Sequence, residues 1–457
     1  MLNNYIAADI GASGGRLILA NVTEGKLNLR EIHRFPNSFT QKNNIYVWDV
    51  DYLLEQILIG LAKAKQMGIM HCTLGIDTWA VDYVLVDKDG QKIKDAVSYR
   101  DSRTKNVIAQ VSKLIPKDEH YKKTGIQFLD FNTIYQLYTE PTDIMAKTKH
   151  ILLIPDYLGF CLTGKAVTEY TNATTTALLN HETKKFDKDL LKIAKVSEEQ
   201  FAPFAQPGQE LGDVKGFDNY DLPKCKVVVT ASHDTASAVL GTPGIGDNRA
   251  FLSSGTWSLL GIETKQAIVT NKAREANYSN EGGAYGTYRF LKNIMGMWLL
   301  QEVHRNLEQK VSYEELVQLA EKATPYQYFI NPNDPAFLNP PNMLKAIQAK
   351  TNRLADTGEV VRCIFDSLAV FYKLCMDELE EITGKNITEL IVIGGGSRNY
   401  MLNQLVADKL NKTVTTGPVE ATAMGNIACQ LISTEGFSIT KTKELIKNSF
   451  ESKTFTP

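Results

Sequence analysis

Two stretches far apart in this chain share one design. The first reads Ile6-Ala7-Ala8-Asp9-Ile10-Gly11-Ala12-Ser13-Gly14-Gly15-Arg16-Leu17-Ile18-Leu19, and the second reads Ala250-Phe251-Leu252-Ser253-Ser254-Gly255-Thr256-Trp257-Ser258-Leu259-Leu260-Gly261. Each is an apolar strand broken by a small glycine- and hydroxyl-rich turn and then resumed. Such a turn exposes backbone N–H groups, and it admits a phosphate because glycine carries no Cβ. One turn of this kind in each half predicts two similar lobes facing each other across a nucleotide cleft.

The intervening pattern supports a duplicated α/β architecture. Residues 5–9, 16–21 and 26–35 read as a three-stranded meander, and residues 50–66 have helical apolar spacing at Leu53, Leu54, Ile57, Leu58 and Leu61. Cys72 to Asp77 and Tyr83 to Val86 read as strands. Residues 102–200 are expected to be mostly helical, with breaks at Pro116, Pro141, Pro155 and Gly164. A strand from Lys226 to Thr230 leads through Ala231-Ser232-His233-Asp234 into a small-residue helix. Gly241-Thr242-Pro243-Gly244-Ile245-Gly246 then reads as a hinge. The second half repeats the order: a glycine-turn hairpin at 250–263, a helix near 290–309, helices at 313–323, 342–351 and 357–383, and a buried strand Glu389 to Ile393. Gly394-Gly395-Gly396, a helix at 399–410, the strand Val414 to Thr416 and the helix Ala421 to Ala428 complete it. Strands alternating with helices predict mostly parallel sheets.

Bulk properties exclude several classes. The 457 residues exceed what one core holds, so two domains are expected. The net charge of −2 argues against a nucleic-acid groove or a polybasic membrane anchor. Met1-Leu2-Asn3-Asn4 has no basic or apolar leader character, and no run of 18 apolar residues occurs. The six scattered cysteines form no C-x-x-C pair, which predicts buried thiols in a reduced cytoplasmic protein and no structural zinc. No obligate protein partner is inferred.

Four constellations are candidates for chemistry. Asp9 ends the first strand beside the glycine turn, where a carboxylate can hold Mg²⁺, directly or through water, or make an ordinary turn hydrogen bond. Arg16 either touches phosphate or pairs with a carboxylate. Asp234 sits between a strand's carboxyl end and a helix. That is where α/β sheets bind ligands, and also where an Asp caps a helix. Gly394-Gly395-Gly396 either receives a phosphate at a helix start or is a tight strand–helix turn. Asp77-Thr78-Trp79-Ala80-Val81-Asp82-Tyr83 and Tyr99-Arg100-Asp101-Ser102-Arg103 mix aromatics with charged forks. That composition suits a sugar, or a surface salt-bridge network around a core Trp. His33, His71, His150 and His304 read as structural.

Taken together, these segments resemble the FGGY carbohydrate kinases of the actin-like ATPase superfamily. The likeness covers essentially the whole chain. It is carried by Trp48-Asp49-Val50-Asp51, Gly75-Ile76-Asp77-Thr78-Trp79, Tyr99 to Thr104, Pro155-Asp156-Tyr157-Leu158 and Asn172 to Thr176. It continues through Ala231 to Ala238, Ser253 to Ser258, Asn280 to Gly283, Leu291 to Gly296, Gly394 to Gly396, Gly417 to Ala421 and Thr454 to Pro457. The resemblance implies an α/β fold of two actin-like (ribonuclease H-like) domains with a central cleft. The domains would span 1–241 (sugar and catalytic base) and 247–457 (nucleotide), with the hinge near 241–246. It implies transfer of the ATP γ-phosphate, with Mg²⁺, to O1 of the deoxy-ketose L-rhamnulose. The alternatives are another deoxy-ketose such as L-fuculose, a non-catalytic sugar or nucleotide binder, and a filament or chaperone ATPase. By position in the family, Asp234 would accept the proton, flanked at the sugar by His233 and Thr235. Ala12, Ser13, Gly14, Gly15 and Arg16, with Thr256, Gln301 and Gly395, would hold ATP. Ala80 and Asn293 would line the sugar site; Asp9, from its own place beside the glycine turn, is the candidate to hold Mg²⁺ through water. Two positions depart from the family pattern: Ala80 stands for a glycine and Gly14 for a serine. The first adds a methyl group toward the sugar, and the second removes one hydroxyl contact to phosphate.

Overall fold

The meander forms where the apolar runs require it. In a computed structural model of the chain, which describes residues 4–246, 248–352 and 356–457, strands β1 (Tyr5–Gly11), β2 (Gly14–Thr23) and β3 (Lys26–Pro36) follow one another. Asp247, the expected start of the second domain, and Met1 lie outside the described residues. Helix α1 (Val50–Gln66) starts at Asp49, whose side chain accepts the Tyr52 N–H, and ends with Lys63 and Lys65 in its last turn. Both ends therefore suit the helix dipole. Leu53, Ile57, Leu58 and Leu61 form its buried face. Strand β4 (His71–Thr78) then lies parallel to β1, with Asp9 opposite Asp77. Strands β5 (Glu210–Asp213) and β6 (Lys224–Val228) finish the sheet, in the order β5-β6-β4-β1-β2-β3. Helix α2 (Asp234–Leu240) follows β6.

Residues 102–200 are less helical than expected. They form short helices such as Lys117–Thr124, Thr142–Lys147 and Ile154–Thr163, with strand His150–Leu153 among them. Pro116, Pro141 and Pro155 stand at helix starts, where their missing N–H costs nothing, and Gly164 ends a helix at φ +74°. The breaks fall where proline and glycine put them, but the helices between them are at most 10 residues long.

A second sheet repeats the arrangement of the first four strands of the first. Its strands include β7 (Arg249–Ser254), β8 (Trp257–Thr264), β9 (Tyr288–Met295), β10 (Glu389–Ile393), β11 (Thr413–Thr416) and β12 (Thr454–Phe455), in the order β9-β8-β7-β10-β11-β12, with a seventh strand, Ser279–Gly282, outside β9. In each sheet the first two strands are antiparallel, and β1 is parallel to β4 as β7 is to β10; β4 is then parallel to β6 in the first sheet and β10 to β11 in the second. An antiparallel edge strand closes the row. Helices α3 (Trp298–Asn306), α4 (Thr357–Thr383) and α5 (Tyr400–Leu410) accompany this sheet. Helix α4 begins with a capping box between Asp356 and Glu359 and ends at Gly384, φ +66°.

Residues 290–295 correct the sequence reading, which placed a helix near 290–309. They belong to β9, and helix α3 starts only at Trp298. Strand β9 is buried along nearly its whole length, so it shows no alternation that would separate strand from helix.

The last helix of the second half, α6 (Ala421–Glu435), belongs to the first compact unit. That unit comprises residues 1–243, 264–290 and 421–450, and the other comprises 244–263, 291–420 and 451–457. The first crossing falls at Pro243/Gly244, but the chain passes between units four more times. Within the first unit, α2 and α6 cross at two glycines. A Cβ on Gly425 would lie 1.8 Å from the Ser237 carbonyl oxygen, and one on Gly241 would lie 2.0 Å from that of Ala421. No helix among the described residues is long and apolar enough to cross a membrane.

Candidate active site

Three carboxylates gather at the carboxyl ends of the first sheet's parallel strands. Asp9 and Asp77 are register partners on β1 and β4. The strand-like pairing of Thr78 with His233 brings Asp234 alongside. The Asp9 carboxylate Oδ2 accepts from Arg16 Nη2 at 2.9 Å and Nε at 3.2 Å, so Arg16 pairs with a carboxylate in this state. Asp77 is fully buried. Its Oδ2 accepts from Asn426 Nδ2 at 2.6 Å, and its Oδ1 has no hydrogen-bond partner among the described residues. Burial first, then the charge of Asp9, holds the Asp77 carboxyl well above the usual carboxylate range. Asp234 is also pushed up, chiefly by desolvation, with His233 pulling it back and Asp9 raising it.

The segment that carries Asp234 is tightly tied down. Buried Glu169 accepts from Ser232 N at 3.1 Å, Ser232 Oγ at 2.7 Å and Asn172 N at 3.0 Å. Asp234 Oδ1 accepts from Thr235 N at 2.6 Å and Thr235 Oγ1 at 3.1 Å, and His233 Nε2 stands 3.4 Å from it. Oδ2 makes no hydrogen bond among the described residues, and the side chain is 32% exposed. The N-cap of this helix is His233 and makes no side-chain cap bond, so Asp234 is not the cap the sequence offered: it spends one oxygen on its neighbour Thr235 and presents the other to solvent or ligand.

The aromatic loop is a buried network rather than a surface one. Asp82 Oδ2 accepts from Trp48 Nε1 at 2.6 Å, Trp79 Nε1 at 3.0 Å and Tyr99 N at 3.1 Å, while Oδ1 accepts from Gln136 Nε2 at 2.9 Å. Burial still raises its pKa to about 6. Arg103 pairs with Glu140 and Gln136. The network fixes half-buried Ala80 beside Val81. The φ of +69° at Val81 is rare for a β-branched residue, and the conformation is held by Thr133 Oγ1 donating to the Val81 carbonyl at 2.7 Å.

At the first glycine turn Ala12 and Gly14 are half-buried and Ser13 is exposed. Gly15 has a packing reason: a Cβ there would lie 2.2 Å from the Phe35 ring. In the second unit, Thr256 Oγ1 donates to Gln301 Oε1 at 3.3 Å, and Asn293 lies half-buried on β9. The three glycines after β10 divide their work. Gly394 takes φ +79°, a Cβ on Gly396 would lie 1.9 Å from Ser254 Oγ, and Gly395 has nothing within 4 Å of where its Cβ would be. Of the sequence-predicted residues, the first unit thus brings together Asp9, Arg16, His233, Asp234 and Thr235, and the second brings together Thr256 and Gln301.

Sequence reasoning missed Arg289, Glu281, Glu169 and Asn426. Arg289 is completely buried on β9. It pairs with Glu281 at 3.1 Å, bonds His233 Nδ1 at 3.1 Å and donates to the Gly282 carbonyl. A charged residue inside Tyr288-Arg289-Phe290-Leu291 was the available signal. Among the described residues, no cluster of three or more His, Cys, Asp or Glu side chains is arranged to hold a metal directly.

Comparisons with known proteins fit this geometry. Residues 4–241 match the N-terminal domain, and residues 250–434 the C-terminal domain, of the FGGY family of carbohydrate kinases. The chain is 51% identical to a rhamnulokinase of Bacillus subtilis, with 99% of this chain and 95% of the relative covered. It is 50% identical to a rhamnulokinase of Lactiplantibacillus plantarum, with 100% and 95% covered. Among solved structures, a ligand-bound xylulose kinase from Lactobacillus acidophilus superposes with a TM-score of 0.80 at 17% identity, over 100% of this chain and 94% of that one. A Plasmodium falciparum glycerol kinase with ADP gives 0.76 at 17% identity, over 99% and 94%.

Proposed function

Since this chain belongs to the FGGY family of carbohydrate kinases, we propose that it transfers the γ-phosphate of ATP to O1 of L-rhamnulose, giving L-rhamnulose 1-phosphate and ADP. The observation that carries the chemistry is Asp234, with Oδ1 engaged by Thr235 and Oδ2 left to accept a proton. As the bond from sugar O1 to the γ-phosphorus forms, the O1 proton passes to Oδ2. The bond from phosphorus to the bridging oxygen breaks, ADP leaves, and the proton is returned to solvent. Phosphoryl transfer asks little more of a protein than a placed base and positioned phosphates. His233 and Thr235 orient the base and flank the sugar, with Ala80 and Asn293 lining it. Ala12 to Arg16, Thr256, Gln301 and Gly395 are the residues assigned to the nucleotide. Mg²⁺, when bound, neutralises charge on the phosphate oxygens. Asp9 would hold it through water, which suits both the lack of a direct ligand cluster and the repulsion Asp9 exerts on Asp77 and Asp234. The cytoplasm, where ATP and a phosphorylated sugar are kept, is the proposed compartment.

Initial rates with ATP and a panel of ketoses, on wild type and Asp234→Asn, test this reading. L-Rhamnulose should give the highest kcat/KM. Related ketoses should leak through, because a pocket discriminates a methyl group by only about 1–3 kcal/mol. A tenfold higher kcat/KM for another ketose would overturn the substrate and leave the kinase class intact. Asp234→Asn should lower kcat by about 10²–10⁴-fold with the melting temperature unchanged, since the Asn amide oxygen can still accept from Thr235. A variant with at least half the wild-type kcat would show that Asp234 is not the base.

A further inference from the structure

His233 is enclosed by charged groups on two sides, and their donors and acceptors decide where its ring proton sits. On the Nδ1 side, Arg289 Nη2 lies at 3.1 Å and Glu281 Oε2 at 3.4 Å. On the Nε2 side, Asp234 Oδ1 lies at 3.4 Å. Glu169 reaches the same segment through Ser232. A guanidinium has only donors. One Nη2 hydrogen is directed at the Gly282 carbonyl at 3.1 Å, leaving the other for Nδ1. Glu281 Oε2 lies 3.1 Å from Arg289 Nη1 as an ion pair without a hydrogen bond, and at 3.4 Å it stands no nearer to Nδ1 than Asp234 Oδ1 does to Nε2, so the closer Arg289 donor is what distinguishes the two ring nitrogens. A proton on Nδ1 would therefore face an Arg donor at short range.

Resting on the reading of Asp234 as the base, we propose that Arg289 is a positioning residue for phosphoryl transfer. By donating to His233 Nδ1 it places the ring proton on Nε2, which faces Asp234 Oδ1, and so leaves Oδ2 as the proton acceptor. With the opposite tautomer, the Nε2 lone pair would face the lone pairs of Oδ1, and the carboxylate would turn from its working orientation. Glu281 completes the device as the guanidinium's counter-charge at 3.1 Å, and Arg289 is 0% exposed.

The tautomer can be read without turnover. Long-range proton–nitrogen correlation spectra of the ligand-free chain labelled at its seven histidines resolve protonated from bare ring nitrogens. His233 is assigned by its loss in His233→Gln. Wild type should show His233 with a bare Nδ1 and a protonated Nε2. Arg289→Lys, which retains a donor, should keep that pattern and much of the kcat. The double variant Glu281→Gln/Arg289→Met leaves no buried charge unpaired. It should lose the pattern and lower kcat by about 10- to 100-fold while KM for ATP stays within twofold. A protonated Nδ1 in wild type overturns the proposal without any variant having to fold. An unchanged tautomer, or a kcat within twofold of wild type, in the folded double variant overturns it as well. Neither result touches the base assignment, which stands or falls on Asp234→Asn.

Discussion

Asp77 shows most plainly what the first sheet asks of a single residue. It is wholly buried, one oxygen is bonded to Asn426 and the other has no hydrogen-bond partner among the described residues, and it stands opposite Asp9. Folding therefore raises its pKa. An acid with a raised folded pKa holds its proton more tightly folded than unfolded. Its contribution to stability is whole below the ordinary carboxylate range, near 4, and is lost as the pH climbs through the raised value. Asn at this position does not titrate and can still accept from Asn426. In ligand-free protein, the stability of Asp77→Asn relative to wild type should rise with pH above about 4, by at most about 1.4 kcal/mol per pH unit. Thermal melts at pH 5 and pH 8 check this, and a constant difference between the two would sink it. The sequence placed Asp77 in a sugar loop because Trp79 and Asp82 are its near neighbours. It could not show that register sets Asp77 beside Asp9, since a strand's sequence does not name its partner.

At the scale of elements, two glycine-to-alanine changes separate packing from function. Helices α2 and α6 approach so closely that a methyl group on Gly425 meets a backbone carbonyl at 1.8 Å. Backbone cannot swing aside as a side chain can, so Gly425→Ala should cost about 1–3 kcal/mol or more and lower the melting temperature with ligands absent. Gly395→Ala has open space around it. It should melt like wild type while KM for ATP rises, because the added methyl occupies the room assigned to nucleotide. Melting curves and ATP titrations on both variants decide the matter: equal melting temperatures, or an unchanged KM in Gly395→Ala, would reverse the assignment. Elements with a clear period were legible from sequence. The meander, α1 and α4 all appear where apolar spacing and caps put them. Strand β9 was not, because burial on both faces erases the period. The roles of Arg289 and Glu281 went unread with it, since their partner His233 lies about 50 residues away in sequence and is met only after folding.

For the whole molecule, the duplicated sequence is a guide to topology but not to where a compact unit ends. Both sheets share one arrangement of four strands, β1 to β4 in the first and β7 to β10 in the second, as the two glycine turns imply, but in the first sheet the antiparallel edge strand precedes its neighbour in the chain and in the second it follows. Yet α6, the final helix of the second repeat, is part of the first unit's interior. Gln430 Oε1 accepts from Thr73 Oγ1 at 2.5 Å, Gln430 Nε2 donates to the Ile6 carbonyl at 2.9 Å, and Asn426 bonds Asp77. Ala423, Met424, Ile427, Ala428 and Leu431 pack with Tyr5, Ala7 and Ile18 in one cluster. Removing the helix would strip that cluster and leave three buried polar groups without partners, each worth about 1–3 kcal/mol. A domain's net stability is only about 5–15 kcal/mol, so a loss of that size leaves little or nothing. A fragment of residues 1–290 should therefore fail to fold cooperatively, even though it holds every strand of the first sheet. Circular dichroism melting of that fragment against the full chain is the measurement. A sharp transition within 5 °C or so of the full chain's would mean that α6 is dispensable and that the first repeat is a self-sufficient domain. Weak, gradual melting would mean that the amino-terminal unit is completed only when residues some 350 positions later have been made.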